Sequence, residues 1–131
     1  MGIGDWGDEA GEMIRSYRDL RVWQLGMELV EDIYRVTGRF PSAEVYGLTS
    51  QLRRAAISIP SNIAEGHTRE HTKEFLHHLS TAQASMAEIE TQIEIAVRLE
   101  YLSSEQSNAL LEKAASLARQ LHSLRKALRS K

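Results

Sequence analysis

Four stretches of the chain repeat apolar residues at alternating steps of three and four. In the first, Leu20, Trp23, Met27, Val30, Tyr34 and Thr37 form one stripe, and Val22, Leu25, Leu29, Ile33 and Val36 form a second. Such spacing gathers each set on one face of a helix. The pattern predicts a helix over residues 19–38, with Asp19 as N-cap and Gly38 at its end. Two stripes make an apolar arc wider than one bundle core needs. This helix is therefore expected to face both its own core and a partner subunit. The second stretch opens near Ser42, an N-cap candidate just after Pro41, and points Val45, Leu48, Leu52, Ala55 or Ala56, Ile59 and Ile63 inward. The third, residues 69–101, follows Thr68 as a cap and repeats Phe75, Leu79, Ala82, Met86, Ile89, Ile93 and Ala96. At ~1.5 Å per residue it would span about 45 Å. The fourth opens at Ser103, where Ser103-Ser104-Glu105-Gln106 matches a capping box, and carries Leu110, Ala114, Leu117, Leu121, Leu124 and Leu128. Three short links joining four heptad-like helices predict an all-α fold, an antiparallel up-down-up-down four-helix bundle.

The second helix contains the most distinctive chemistry, in residues 55–66, AAISIPSNIAEG. Pro60 removes a backbone donor from the helix interior and clashes with the carbonyl of Ala56, so a kink is expected. Ser58, Asn62 and Glu65 share one ridge if the helix continues through the proline. They are expected to satisfy the freed backbone or to form a ligand or subunit contact. Gly66 is expected to end the helix.

Charge refines this picture at the two ends. The net charge is −2, but residues 1–12 carry Asp5, Asp8, Glu9 and Glu12 with no base. Residues 1–18 lack apolar periodicity and read as an acidic arm, in which Trp6 stands alone; residues 19–131 read as the bundle domain. From Arg98 onward there are seven bases and three acids. Arg119, Arg125, Lys126 and Arg129, with Arg53 and Arg54 on the second helix, are the candidate nucleic-acid contacts. Binding through them would be to phosphate, and salt-sensitive. Helix-dipole complementation and plain solvation account for the same residues. The N-terminus has no signal-peptide pattern and no apolar run approaches ~18 residues, so no membrane span is expected and a cytoplasmic location fits.

Catalytic and metal chemistry find little footing. With no Cys there is no thiolate nucleophile and no Cys-based zinc site. Neither a Gly-x-Ser-x-Gly elbow nor a P-loop occurs. His67 with His71, and Glu74 with His78 beside His77, have i, i+4 spacing that could seat a metal. A di-iron bundle needs a second Glu-x-x-His, yet Arg119 stands where the Glu partner of His122 would be. No metal, cofactor or catalytic residue is expected.

The runs RDLRVWQLGMELV (residues 18–30), YGLTSQLRRAAISIPSNIAEG (46–66) and KEFLHHLSTAQASMAEIETQIEIAVRLEYL (73–102) occur in this order. Together they closely resemble the four-helix-bundle proteins first noticed as products of intervening sequences in bacterial 23S rRNA genes. The resemblance covers residues 18–128 and is most specific in SIPSNIAEG. It implies a homopentameric ring and no known catalytic activity. Relatives act as accessory factors of diversity-generating retroelements, where a basic pentamer binds RNA and a reverse transcriptase. The expected partners are thus further copies of the chain, with RNA or another protein beside them.

Overall fold

The computed structural model describes residues 15–130. Helix α1 spans Arg21–Thr37, α2 Leu48–Thr68, α3 Thr72–Arg98 and α4 Ser104–Arg129. Single 3-10 turns at Tyr17–Asp19 and Ser42–Glu44 precede α1 and α2. No strand occurs among the described residues. Trp6 and most of the expected acidic arm lie outside them.

The apolar stripes become the core, except that Val45, expected inward on the second helix, precedes α2 and is exposed. Leu29, Ile33, Leu52, Ile59, Ile63, Phe75, Leu79, Met86, Ile89 and Ile93 are fully buried. α1 packs on α2, α2 on α3, α3 on α4, and α4 returns to α1. The two stripes of α1 divide as their width requires. Val22, Leu25, Leu29 and Ile33 face the core, with Val36 half-buried. In the other stripe Met27 and Tyr34 are exposed and Trp23 and Val30 half-buried, and only its two ends, Leu20 and Thr37, are buried. Lys113 of α4 ties α1 down through Asp32 at 2.6 Å and Glu28 at 3.6 Å. The hydrogen bond that Lys113 donates to Asp32 raises the lysine pKa, against a smaller opposing effect of burial.

The helix ends depart from the sequence pattern in four places. α1 begins at Arg21 because Asp19 is used one turn earlier. There Asp19 accepts the N–H groups of Arg15 and Ser16 at 3.0 and 3.2 Å, in a capping box with Ser16. Ser42 does not cap α2 either. The capping carboxylate is that of Glu44, which accepts the N–H of Leu48 at 3.1 Å and the hydroxyl of Tyr101 at 2.9 Å. These two bonds, the backbone one first, lower the Glu44 pKa. Thr68 belongs to α2, with its hydroxyl donating to the Ala64 carbonyl at 2.7 Å, and α3 starts four residues later. Gly66, expected as a stop, lies buried inside α2. The residues that turn the chain after α2 and α3 are Glu70 and Glu100, both at φ 65°. After α3 the N–H groups of Glu100 and Tyr101 reach the carbonyls of Val97 and Ala96, a Schellman closure built on a glutamate. The Ser103–Gln106 capping box forms as its spacing predicts.

Candidate interaction surfaces

α2 runs as one helix through Pro60, which is buried against Gly26 of α1. A Cβ at Gly26 would stand 3.4 Å from the proline Cδ, an ordinary contact, so the approach of the ring to α1 does not depend on the missing side chain. The polar neighbours of Pro60 do not act as one ridge. Ser58 donates to the Ala55 carbonyl at 3.1 Å and pairs with the Ser85 hydroxyl of α3. Asn62 donates to the Ser58 carbonyl at 2.8 Å and accepts from His78 Nδ1 at 3.0 Å. Neither side chain bonds the Ala56 carbonyl that Pro60 leaves without its helical donor. Glu65 turns outward to Arg69 at 3.0 Å, an exposed pair of small energetic weight. Gly66 carries no polar group. It brings α2 and α3 together, since a Cβ there would lie 2.6 Å from His78 Cβ and 3.0 Å from Phe75 Cδ1.

Ser58 also borders an open polar groove of about 350 Å³ between α2 and α3, with Gln51, Arg54, Thr81, Ser85, Glu88 and Gln92. Gln92 donates weakly to Gln51 at 3.5 Å, and its own Oε1 is buried without a partner. His67 of the expected metal set is buried edge-on to Phe75, with ring centroids 5.7 Å apart. Burial lowers its pKa, against a smaller opposite effect of Asp19. His71 and His77 are exposed, and His78 is committed to Asn62. Among the described residues no three His, Asp or Glu side chains form a metal cluster.

The candidate basic contacts also separate. Arg53 is drawn inward, donating to Thr37 Oγ1 at 2.9 Å and to the Tyr34 carbonyl at 3.4 Å while stacking 4.3 Å above the Tyr34 ring. It therefore closes the C-terminus of α1, where a cation complements the dipole. Arg125 is half-buried and donates to Gln83 of α3. Arg54 is exposed at the polar groove. Arg119, Lys126 and Arg129 are exposed and, with exposed His122, step 3, 4 and 3 along one face of α4.

A second groove, about 310 Å³, runs between α1 and α2 and is mainly apolar. Tyr17, Trp23, Met27, Val30, Ile57, Pro60, Ser61 and Ala64 line it. Its α1 wall is the outer stripe legible in the sequence. Ile57, 41% exposed on the α2 wall, falls off the inward stripe of that helix. The signal for Ile57 was its position one turn before Ser61 and two turns before Ala64, which set it on their face.

Four helices packed in a closed cycle define a helical-bundle class. The chain belongs to the 23S rRNA-intervening sequence protein family, whose model matches residues 18–123. Its fold is similar to that of a protein of unknown function from the S23 ribosomal protein family of Bacteroides thetaiotaomicron. That likeness has a TM-score of 0.72 at 24% identity, covering 80% of this chain and 95% of that one. No functionally curated protein matches in sequence. Among the described residues no helix is long and apolar enough to cross a membrane.

Proposed function

We propose that the chain is a non-enzymatic, self-assembling helical module of the cytoplasm that serves as a scaffold or adaptor for another protein. Copies join through the outer faces of α1 and α2, and the family resemblance favours a ring of five. Within each copy the helices run up-down-up-down and antiparallel. The side-chain pairs between α2 and α3 support this, since Gln51 meets Gln92, Ser58 meets Ser85 and Asn62 meets His78, rising positions against falling ones.

One observation carries the assembly. Trp23, Met27, Val30 and Ile57 surround a groove at the surface when each would gain by leaving water. A closed, symmetric oligomer covers such a face on every copy. Met27→Glu or Ile57→Glu is expected to leave the helical content unchanged, because both side chains are exposed, and to lower the mass measured by light scattering. An unchanged mass in both variants would remove this face from the interface.

The exposed stripe of Arg119, His122, Lys126 and Arg129 supports a second function, RNA binding through phosphate. Repetition of the stripe around a ring multiplies a weak contact. A purified particle with raised absorbance at 260 nm, and RNA affinity that falls steeply with salt, would favour it. An Arg119→Glu, Lys126→Glu chain should lose that affinity and keep its mass. Absence of binding at low salt would eliminate it.

A further inference from the structure

The α1/α2 groove opens beside the point where the described chain begins. Tyr17 lines it and packs on Trp23, ring centroids 5.5 Å apart, three residues from residue 14. We propose that residues 1–14 occupy this groove of their own chain, with the Trp6 indole as anchor, in a competition that presupposes the self-assembly proposed above. The arm and a second copy then seek the same apolar surface.

Shape, charge and reach all support this occupant. The groove offers aromatic and aliphatic walls from Tyr17, Trp23, Met27, Val30 and Ile57. Residues 1–14 bring Ile3, Trp6, Met13 and Ile14, and tryptophan is the side chain that most often anchors such contacts. Around Trp6 stand Asp5, Asp8, Glu9 and Glu12. Arg18 stands exposed over the groove's aromatic residues, and Arg15 and Arg21, also exposed, flank it in sequence beside one acid, Asp19. The Arg18 guanidinium lies 5.4 Å from the Tyr17 ring centroid and 5.8 Å from that of Trp23. No carboxylate among the described residues lies within 4.0 Å of the guanidinium of any of these three arginines. Tyr17, the first residue of the groove wall, lies eleven positions after Trp6, a reach of up to ~36 Å when extended. The α1 wall from Trp23 to Val30 is only about 10 Å long, so the indole can reach every part of it. Tethering gives the arm an effective concentration on the order of millimolar, above that of any second copy in dilute solution.

The test uses the full chain carrying Trp23→Phe, which leaves Trp6 as its sole tryptophan. At dilutions where the chain is monomeric, Trp6 emission is expected to be blue-shifted from N-acetyltryptophanamide and shielded from acrylamide. Ile57→Glu in the groove is expected to abolish both effects. In parallel, sedimentation velocity compares the otherwise unaltered chain with Trp6→Ala. An arm that covers the groove in nine of ten molecules weakens assembly about tenfold, so Trp6→Ala is expected to assemble at about tenfold lower concentration. Solvent-like Trp6 emission, or a blue shift indifferent to Ile57→Glu, overturns the docking. Equal or weaker assembly of Trp6→Ala overturns the competition. If neither chain assembles at any concentration, self-assembly and the competition both fall, while the emission still decides whether the groove holds the arm.

Discussion

Replacing Gly66 with alanine adds one methyl group at the closest approach of α2 to α3. Two opposing effects set the result. Alanine gains about 1 kcal/mol over glycine inside a helix. The new Cβ, however, would stand 2.6 Å from His78 Cβ and 3.0 Å from Phe75 Cδ1. Carbon atoms pack best at ~3.5–4.0 Å, so the helices must separate by about 1 Å. Neither obstacle is the free end of a flexible chain, because a Cβ moves only with its backbone and Phe75 is fully buried. Overpacking of this kind costs ~1–3 kcal/mol. Separation also stretches the Asn62–His78 hydrogen bond, worth about 1 kcal/mol. The net expectation is a loss of about 1–3 kcal/mol, a fall of several degrees in melting temperature at roughly 3–5 °C per kcal/mol. The assay is thermal melting by circular dichroism at one fixed chain concentration, since self-association shifts melting by mass action. Gly26→Ala is the control. Its Cβ would meet Pro60 at 3.4 Å and Ile59 at 3.5 Å, ordinary contacts, so it is expected to be neutral or to stabilise by up to about 1 kcal/mol. A Gly66→Ala chain as stable as the parent would refute the claim that this glycine exists for close packing.

Three further outcomes are expected. Ile63→Ala removes a fully buried side chain and should destabilise by about 2–5 kcal/mol in denaturant unfolding; a change below about 0.5 kcal/mol would contradict its burial. Glu100→Gly relieves a left-handed backbone conformation at φ 65° and should stabilise by about 1 kcal/mol, whereas a loss would mean that the glutamate side chain matters more than its backbone. Burial holds the His67 pKa below its ordinary 6.5, so the unfolded chain takes up a proton first as pH falls through 6.5. This contribution to stability is complete above that value and is lost progressively below it; His67→Phe should flatten the slope of melting temperature between about pH 7 and 5, and an unchanged slope would assign it to other groups.

The core was legible because its signal is repetitive. Leu79, Met86, Ile89 and Ile93 recur at helical spacing, and each is buried where that spacing puts it. The Ser103–Gln106 box was legible because both partners lie within four residues. Local chemistry misled where a residue serves a distant element. Gly66 looks like a stop, yet its purpose is set by His78 and Phe75 on another helix. The true turns fall on Glu70 and Glu100, whose positive φ leaves no mark in residue type. Arg53 and Arg125 resembled solvent-facing cations, but tertiary structure aims them at Thr37 and Gln83. The same limit applies to the motif around Pro60. Spacing put Ser58, Asn62 and Glu65 on one ridge, while α3 takes up the first two and leaves the third to Arg69. The outer stripe of α1 shows the opposite case. Its excess width was visible in one dimension, and Met27 and Tyr34 do emerge at the surface.

Self-assembly through the α1/α2 face is the central claim, and light scattering across a concentration series on a size-exclusion column tests it most directly. The account predicts a mass that rises with concentration toward five chains for the parent and stays at one chain for Ile57→Glu. A single chain at every concentration, or an oligomer of equal mass in both, would contradict it.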